Sequence, residues 1–162
     1  MDNAEGTSAV EPELRPVLTR PMLRIELDAA EPIVVSDGRR YVPLTGGWFQ
    51  GRDGLQGVVL PGGADWQRVH PQGVVELEAH YALRTSDGRT VEVRSSGVRR
   101  AGSDVMARIA AGEPVLPEEY YFRTHIRLES ADEGLAHLNH LIGLATGQRE
   151  QSKVHIHVHE VL

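Results

Sequence analysis

The stretch "KVHIHVHEVL", positions 153–162, sets His155, His157 and His159 in strict alternation with Val154, Ile156 and Val158. An extended chain sends successive side chains to opposite faces, so the three imidazoles share one face. Two histidines at i and i+2 can share a tetrahedral zinc, and a third ligand would complete a catalytic site. The aliphatic face needs a core, however, which directs the histidines towards solvent or a subunit contact. No HExxH motif is present, and nothing in the sequence brings His137 and His140 to this strand. No functional metal is expected.

Three other stretches could do chemistry. In "GVVELEAHYALRT", Val75, Leu77, Ala79, Tyr81 and Leu83 take one face, and Glu76, Glu78, His80 and Arg84 the other. Glu78 and His80 thus flank one small volume. Inside a barrel, burial would raise the carboxyl pKa and bring the imidazole into an acid/base range. "YYFRTH" offers Tyr121 as a phenolic donor, Arg123 as a fixed cation and His125 as a second titrating group. The plain alternative is that both polar faces point to water, the default for alternating antiparallel strands. "PGGADWQRVHPQG" places Asp65 beside Trp66, as at the lip of a ligand pocket, although Asp65 could equally cap a turn.

The elements that must position these groups read mostly as strands. "MLRIEL" and "PIVVS" are extended, and "SDGRRY" and "SDGR" turn through Asp37-Gly38 and Asp87-Gly88. The glycines of "GGWFQG" and "GLQGVVLPGG" suit bends where a curved sheet closes on itself. "TVEVRSSGV" and "YYFRTHIRLES" alternate as further strands. "SDVMARIAAG" predicts a short helix with Ser103 as N-cap. "SADEGLAHLNHL" predicts a second, with Ser130 and Glu133 at capping-box spacing and Leu135, Leu138 and Leu141 on one stripe. The expected fold is mainly β: a closed antiparallel barrel of about eight strands with one helix plugging or covering an end. Residues 1–20, rich in small, acidic and proline residues, read as a flexible arm, and 21–162 as one barrel domain.

Composition narrows the function classes. The 162 residues carry a formal net charge of −6, which disfavours a nucleic-acid groove or a polybasic membrane patch. There is no cysteine, which excludes disulfides, thiolate nucleophiles and Cys-ligated metals. No apolar run approaches a membrane span, and the first residues lack the basic start and apolar core of a signal peptide, so a cytoplasmic protein is expected. A GxGxxG loop, a Walker lysine and a GxSxG elbow are all missing, and no cofactor is expected.

Taken in order, "GGWFQG", "GVVLPGGADW", "LEAHYALRTSDGRTVEVRSSGVRR", "YYFRTHIRLES" and "LAHLNHLIGLATGQRE" resemble the bacterial and fungal family called domain of unknown function 3237. The resemblance runs from about Leu23 to Leu162. It implies a small, often oligomeric β-barrel of the allene-oxide-cyclase-like or calycin-like kind. Asp65 and Trp66 match the family's Asp-Trp, Tyr81 its strand, Tyr121 and Arg123 its Tyr-x-Arg, and Asn139 its helix. Gln50 stands where an acid is usual, and Glu78 and His80 where an Asp and an Arg are more common. "HPQG" and His137 depart as well, which suggests a retuned pocket. The resemblance makes convergence of the Glu78/His80 and Tyr121/Arg123 faces inside the barrel more expected than the alternation alone does.

The expectation is a cofactor-free acid/base enzyme of isomerase, cyclase or lyase type, acting on a small, partly apolar carbonyl compound in the lumen. Glu78 or Asp65 would be the base and His80 its titrating partner. Tyr121 and Arg123 would stabilise an enolate oxygen. Trp48, Phe49 and Trp66 would wall the ligand, with His125 and Asn139 as further contacts. The rival from another class is a non-catalytic carrier using the same lumen. A third reading is a structural or regulatory dimer whose lumen its own side chains fill. Small-molecule binding and a homodimer are the expected partnerships.

Overall fold

The computed structural model describes residues 14–162. Ten strands follow one another: β1 (Thr19–Ala29), β2 (Ile33–Ser36), β3 (Arg39–Gly51), β4 (Gln56–Val59), β5 (Gly63–Val69), β6 (Val74–Thr85), β7 (Thr90–Arg100), β8 (Tyr121–Glu129), β9 (Gly143–Glu150) and β10 (Lys153–Val161). Every pairing is antiparallel. The ladder runs β1-β10-β9-β8-β7-β6, returns through β5 to β3, and closes where β3 meets β1. Eight strands therefore ring the barrel and two are extra. β4 occupies the wall between β3 and β6 beyond the end of β5, and β2 forms a hairpin on β3.

Alternation decides what lies inside. Ile25, Phe49, Val75, Leu83, Val91, Val93, Ile126, Leu128 and Val158 all point inward and are fully buried. Each such side chain contributes roughly 1.5–3 kcal/mol of hydrophobic stabilisation. Closure needs strands to approach where they bend. At Gly47, with φ +133°, a Cβ would lie 1.9 Å from the Glu26 carbonyl oxygen, so only glycine lets β3 reach β1 there.

The two barrel ends differ. A 3-10 helix, Glu133–His140, closes one end by burying Leu135 and Leu138. A helix was expected here, and a helix forms, of the 3-10 kind; a Ser130–Glu133 capping box was expected at its start. Instead Asp132 is the N-cap, its carboxylate accepting from Gly134 N at 2.9 Å. Ser130 donates to the Thr90 carbonyl at 2.8 Å. Three residues per turn stack Leu135 directly over Leu138, which suits a short plug pinned at both ends. At the other end, α1 (Ser103–Ala110) packs Val105, Met106 and Ile109 beside the core. Its N-cap is Gly102, with Ser103 already inside the helix. The expected 1–20 arm lies mostly outside the described residues, and its last two residues already belong to β1. No helix among the described residues is long and apolar enough to cross a membrane.

Candidate functional site

The inward face is aliphatic along most of the barrel but turns polar towards the α1 end. On β5 the inward residues are Asp65 and Gln67. On β7 the series Val91, Val93, Ser95 ends in Arg99, and on β9 Ala145 leads to Arg149. With Tyr81 from β6 and Thr124 from β8, these groups line a cavity of about 40 Å³. That is room for a few waters or one end of a small organic molecule. Its remaining wall includes Leu27, Val42, Leu77, Phe122 and Ile156. Gly147 makes way for the Phe122 ring, since a Cβ there would lie 2.6 Å from the ring carbons.

A hydrogen-bonded relay orders the polar end. Arg40 Nε donates to Gln67 Oε1 at 2.8 Å, and Gln67 Nε2 donates to Asp65 Oδ2 at 2.6 Å. The Glu78 backbone N–H donates to Asp65 Oδ1 at 3.2 Å. Both Asp65 oxygens are thus engaged by neutral amides. Burial pushes the Asp65 carboxyl above its ordinary value, against the opposing pull of Gln67 and of the Arg99 and Arg149 charges. Burial, then repulsion from Arg40 and Arg149, brings Arg99 down to about 10, so its guanidinium stays charged at neutral pH. Tyr81 is held well above the usual phenol value by burial and then by Asp65, and remains a neutral hydroxyl. Arg99 Nε and Thr124 Oγ1 are buried with no hydrogen-bond partner among the described residues.

Of the catalytic and ligand-binding residues expected from the sequence, Asp65 alone lines this cavity. Glu78 and His80 face out from β6. His80 Nε2 lies 2.6 Å from Glu92 Oε1, which also accepts from Arg94 Nε at 2.8 Å. Tyr121 is exposed between the guanidiniums of Arg100 and Arg123, 4.7 and 5.0 Å from its ring centroid. His125 is exposed on the same outer face. The two polar faces expected to converge in the lumen therefore lie on the outer wall, because the aliphatic faces of β6 and β8 take the interior. Trp66 is 38% exposed and packs outside against Tyr41, with ring centroids 4.8 Å apart. Trp48 lies on the outer face under Arg24, and Phe49 is a fully buried core residue that does not touch the cavity. Asn139 ties the 3-10 helix down, accepting from Ser130 N at 2.8 Å and donating to its carbonyl at 3.0 Å.

The histidine strand follows its aliphatic side. Ile156 and Val158 are buried, and the imidazoles line the outer wall. His155 sits between Glu26 and Glu150, with N···O distances of 3.5 and 3.4 Å. No three His, Asp or Glu side chains among the described residues are grouped to hold a metal ion. Arg99, Arg149, Gln67 and Thr124 were not singled out, and Tyr81 was named as a family match without a site role, although a strand whose apolar face ends in arginine is a readable sign.

Residues 12–161 match the family described as Protein of unknown function (DUF3237). The UPF0311 protein RPA1785 of Rhodopseudomonas palustris is 39% identical over 124 residues, covering 76% of this chain and 80% of that protein. A UPF0311 protein of Bradyrhizobium diazoefficiens matches with the same identity and coverage. The crystal structure of the R. palustris protein superposes with a TM-score of 0.88 at 33% identity, over 93% of this chain and all of that one. A β-barrel-like protein from Acinetobacter baumannii superposes at 0.77 with 27% identity, over 94% of this chain and all of that one. The chain belongs to the DUF3237 family of closed β-barrels.

Proposed function

We propose that the protein is a cofactor-free acid/base enzyme, of isomerase, cyclase or lyase type, acting on a small carbonyl compound whose reacting end enters the lumen. The observation that carries this reading is Asp65, a carboxyl group held in a cavity among guanidiniums with its affinity for protons raised. A carboxylate of raised pKa is a stronger base, and burial favours that tuning. In the proposed step Asp65 takes a proton from the carbon next to the carbonyl. The electron pair moves onto the carbonyl oxygen, and Tyr81 and Arg99 stabilise the enolate. Asp65 then returns the proton at another carbon, or the enolate attacks within the molecule or expels a leaving group. Glu78, His80, Tyr121 and Arg123 are on the outer wall, so the chemistry falls to Asp65, Tyr81 and Arg99.

One observation favours the non-catalytic carrier. Both Asp65 oxygens already accept hydrogen bonds, as suits a structural anchor for Gln67 and Arg40. Deuterium exchange into enolisable carbonyl compounds, followed by NMR, separates the two readings. Exchange that requires Asp65 supports the enzyme, and ligand binding without exchange supports the carrier. The expected homodimer draws support from edge strand β2, which exposes Ile33, Val34 and Val35. Sedimentation velocity across a concentration series tests it, and a monomer throughout would end it.

A further inference from the structure

We infer that the lumen takes a small organic carboxylate, its carboxylate seated against Arg99 Nε and Thr124 Oγ1 and its apolar part against the aliphatic wall. This rests on the lumen being the working site and names the class of molecule it holds.

Charge gives the first argument. Arg99 and Arg149 line the cavity, and Arg40 stands at its polar end, against the single carboxylate of Asp65 among the cavity-lining residues. Glu31 acts on Arg149 only from an exposed position beyond the strands. Asp65 does not neutralise the arginines by contact. Its oxygens are taken up by Gln67 and the Glu78 amide, and no ion pair joins it to an arginine among the described residues. A low-dielectric space with surplus positive charge favours an anion.

The unpartnered donors give the second. Arg99 is 6% exposed and Thr124 7%, yet Arg99 Nε and Thr124 Oγ1 have no partner among the described residues. Thr124 faces Gly97 across the β7–β8 ladder, and Arg99 is the next inward residue after Gly97. They are diagonal neighbours on adjacent strands, about 7–8 Å apart at the backbone. A long guanidinium and a hydroxyl at that spacing can both reach one small group between them.

Size and wall select the carboxylate. About 40 Å³ admits a flat two-oxygen group, which matches the planar guanidinium. Leu77, Phe122 and Ile156 suit a short hydrocarbon beyond the carboxylate, and phosphate is the control because Ser95 and Arg149 also line the cavity.

The test uses the full chain and calorimetric titration, with melting temperature as a second readout. Acetoacetate and crotonate are the probes, and their methyl esters and inorganic phosphate are the controls. The acids should bind and raise the melting temperature, and the esters should do neither. Thr124→Val keeps the side-chain shape and removes a donor, so it should weaken acid binding by about tenfold and melt no lower than wild type without ligand. Arg99→Gln should abolish binding, and Thr124→Val keeps the test intact if that variant does not fold. Esters or phosphate binding as well as the acids would overturn the inference, as would no acid binding. Acid binding without proton exchange would uphold it and defeat the enzyme reading alone.

Discussion

Two charged clusters sit back to back on the wall of this barrel, and their chemistry is opposite. Outside, His80 and Arg94 both reach the Glu92 carboxylate at 2.6–2.8 Å, and Glu92 is held below the usual carboxylate range by those contacts. Inside, one strand pairing away, Asp65 is pushed above that range and Arg99 keeps an unpartnered Nε. The outer cluster is well paired and wet, where ion pairs contribute little. The inner one is under-paired and buried, a costly arrangement in a folded protein. Under the proposed function, complete pairing on the surface marks the bystander cluster and incomplete pairing in the interior marks the working one.

Four experiments break or sharpen that contrast. The largest effect falls on proton exchange. Asp65→Asn should cut its rate by about 10²–10⁴-fold, whereas Glu78→Gln on the outer wall should leave it unchanged. Equal losses in both variants would erase the distinction between the two faces.

Next comes the relay. Gln67→Leu strands Arg40 Nε and Asp65 Oδ2 without their amide partner and should destabilise the protein by about 1–3 kcal/mol in urea unfolding. A neutral result would mean that water replaces the amide freely.

The pH dependence of stability should be smaller but distinctive in sign. Between the ordinary aspartate value of about 3.9 and its own raised value, native Asp65 keeps a proton that the unfolded chain has released. Its contribution is fully present below about 3.9 and is lost as pH rises through the raised value. The melting temperature of wild type minus that of Asp65→Asn should fall as pH climbs from there. A difference that rises with pH would show that the arginines, not burial, control this carboxyl.

Glu92→Gln should have the smallest effect, within about 1 kcal/mol and vanishing in high salt. A large, salt-resistant loss would show that the outer cluster carries weight of its own.

Much of the barrel was legible because strand alternation is a strong signal. "VELEAHYALRT" and the Asp-Gly turns at 37–38 and 87–88 read directly as strands and hairpins, and the family motifs agreed. The site was not legible in the same way. The rule that turns the aliphatic face inward, which places His155, His157 and His159 outside, applies equally to Glu78 and His80. The family motifs raised the expectation of convergence against it. The cavity's polar groups occupy aliphatic-face positions near strand ends, where Arg99 and Arg149 look like ordinary strand-end charges. Only the three-dimensional register brings them beside Asp65. The plug was legible as a helix from Leu135, Leu138 and Leu141, but those three positions fit either helical period over so short a span, so its 3-10 type and its capping by Asp132 were not.

The seam between β1 and β10 pairs Arg20 with Glu160 and Asp28 with Lys153, so partners stand 125 to 140 residues apart. During synthesis β1 can find β3 early, but its other edge stays open until the last of the ten strands leaves the ribosome. β9 waits for the same segment. The nascent chain thus carries two unsatisfied hydrogen-bonding edges and an unsealed apolar interior for most of its translation, the state most open to pairing with a neighbour. The barrel wall cannot close before β10 pairs with β1 and β9, so substitutions in Ile156 or Val158 should reveal themselves first as poor yield from the cell.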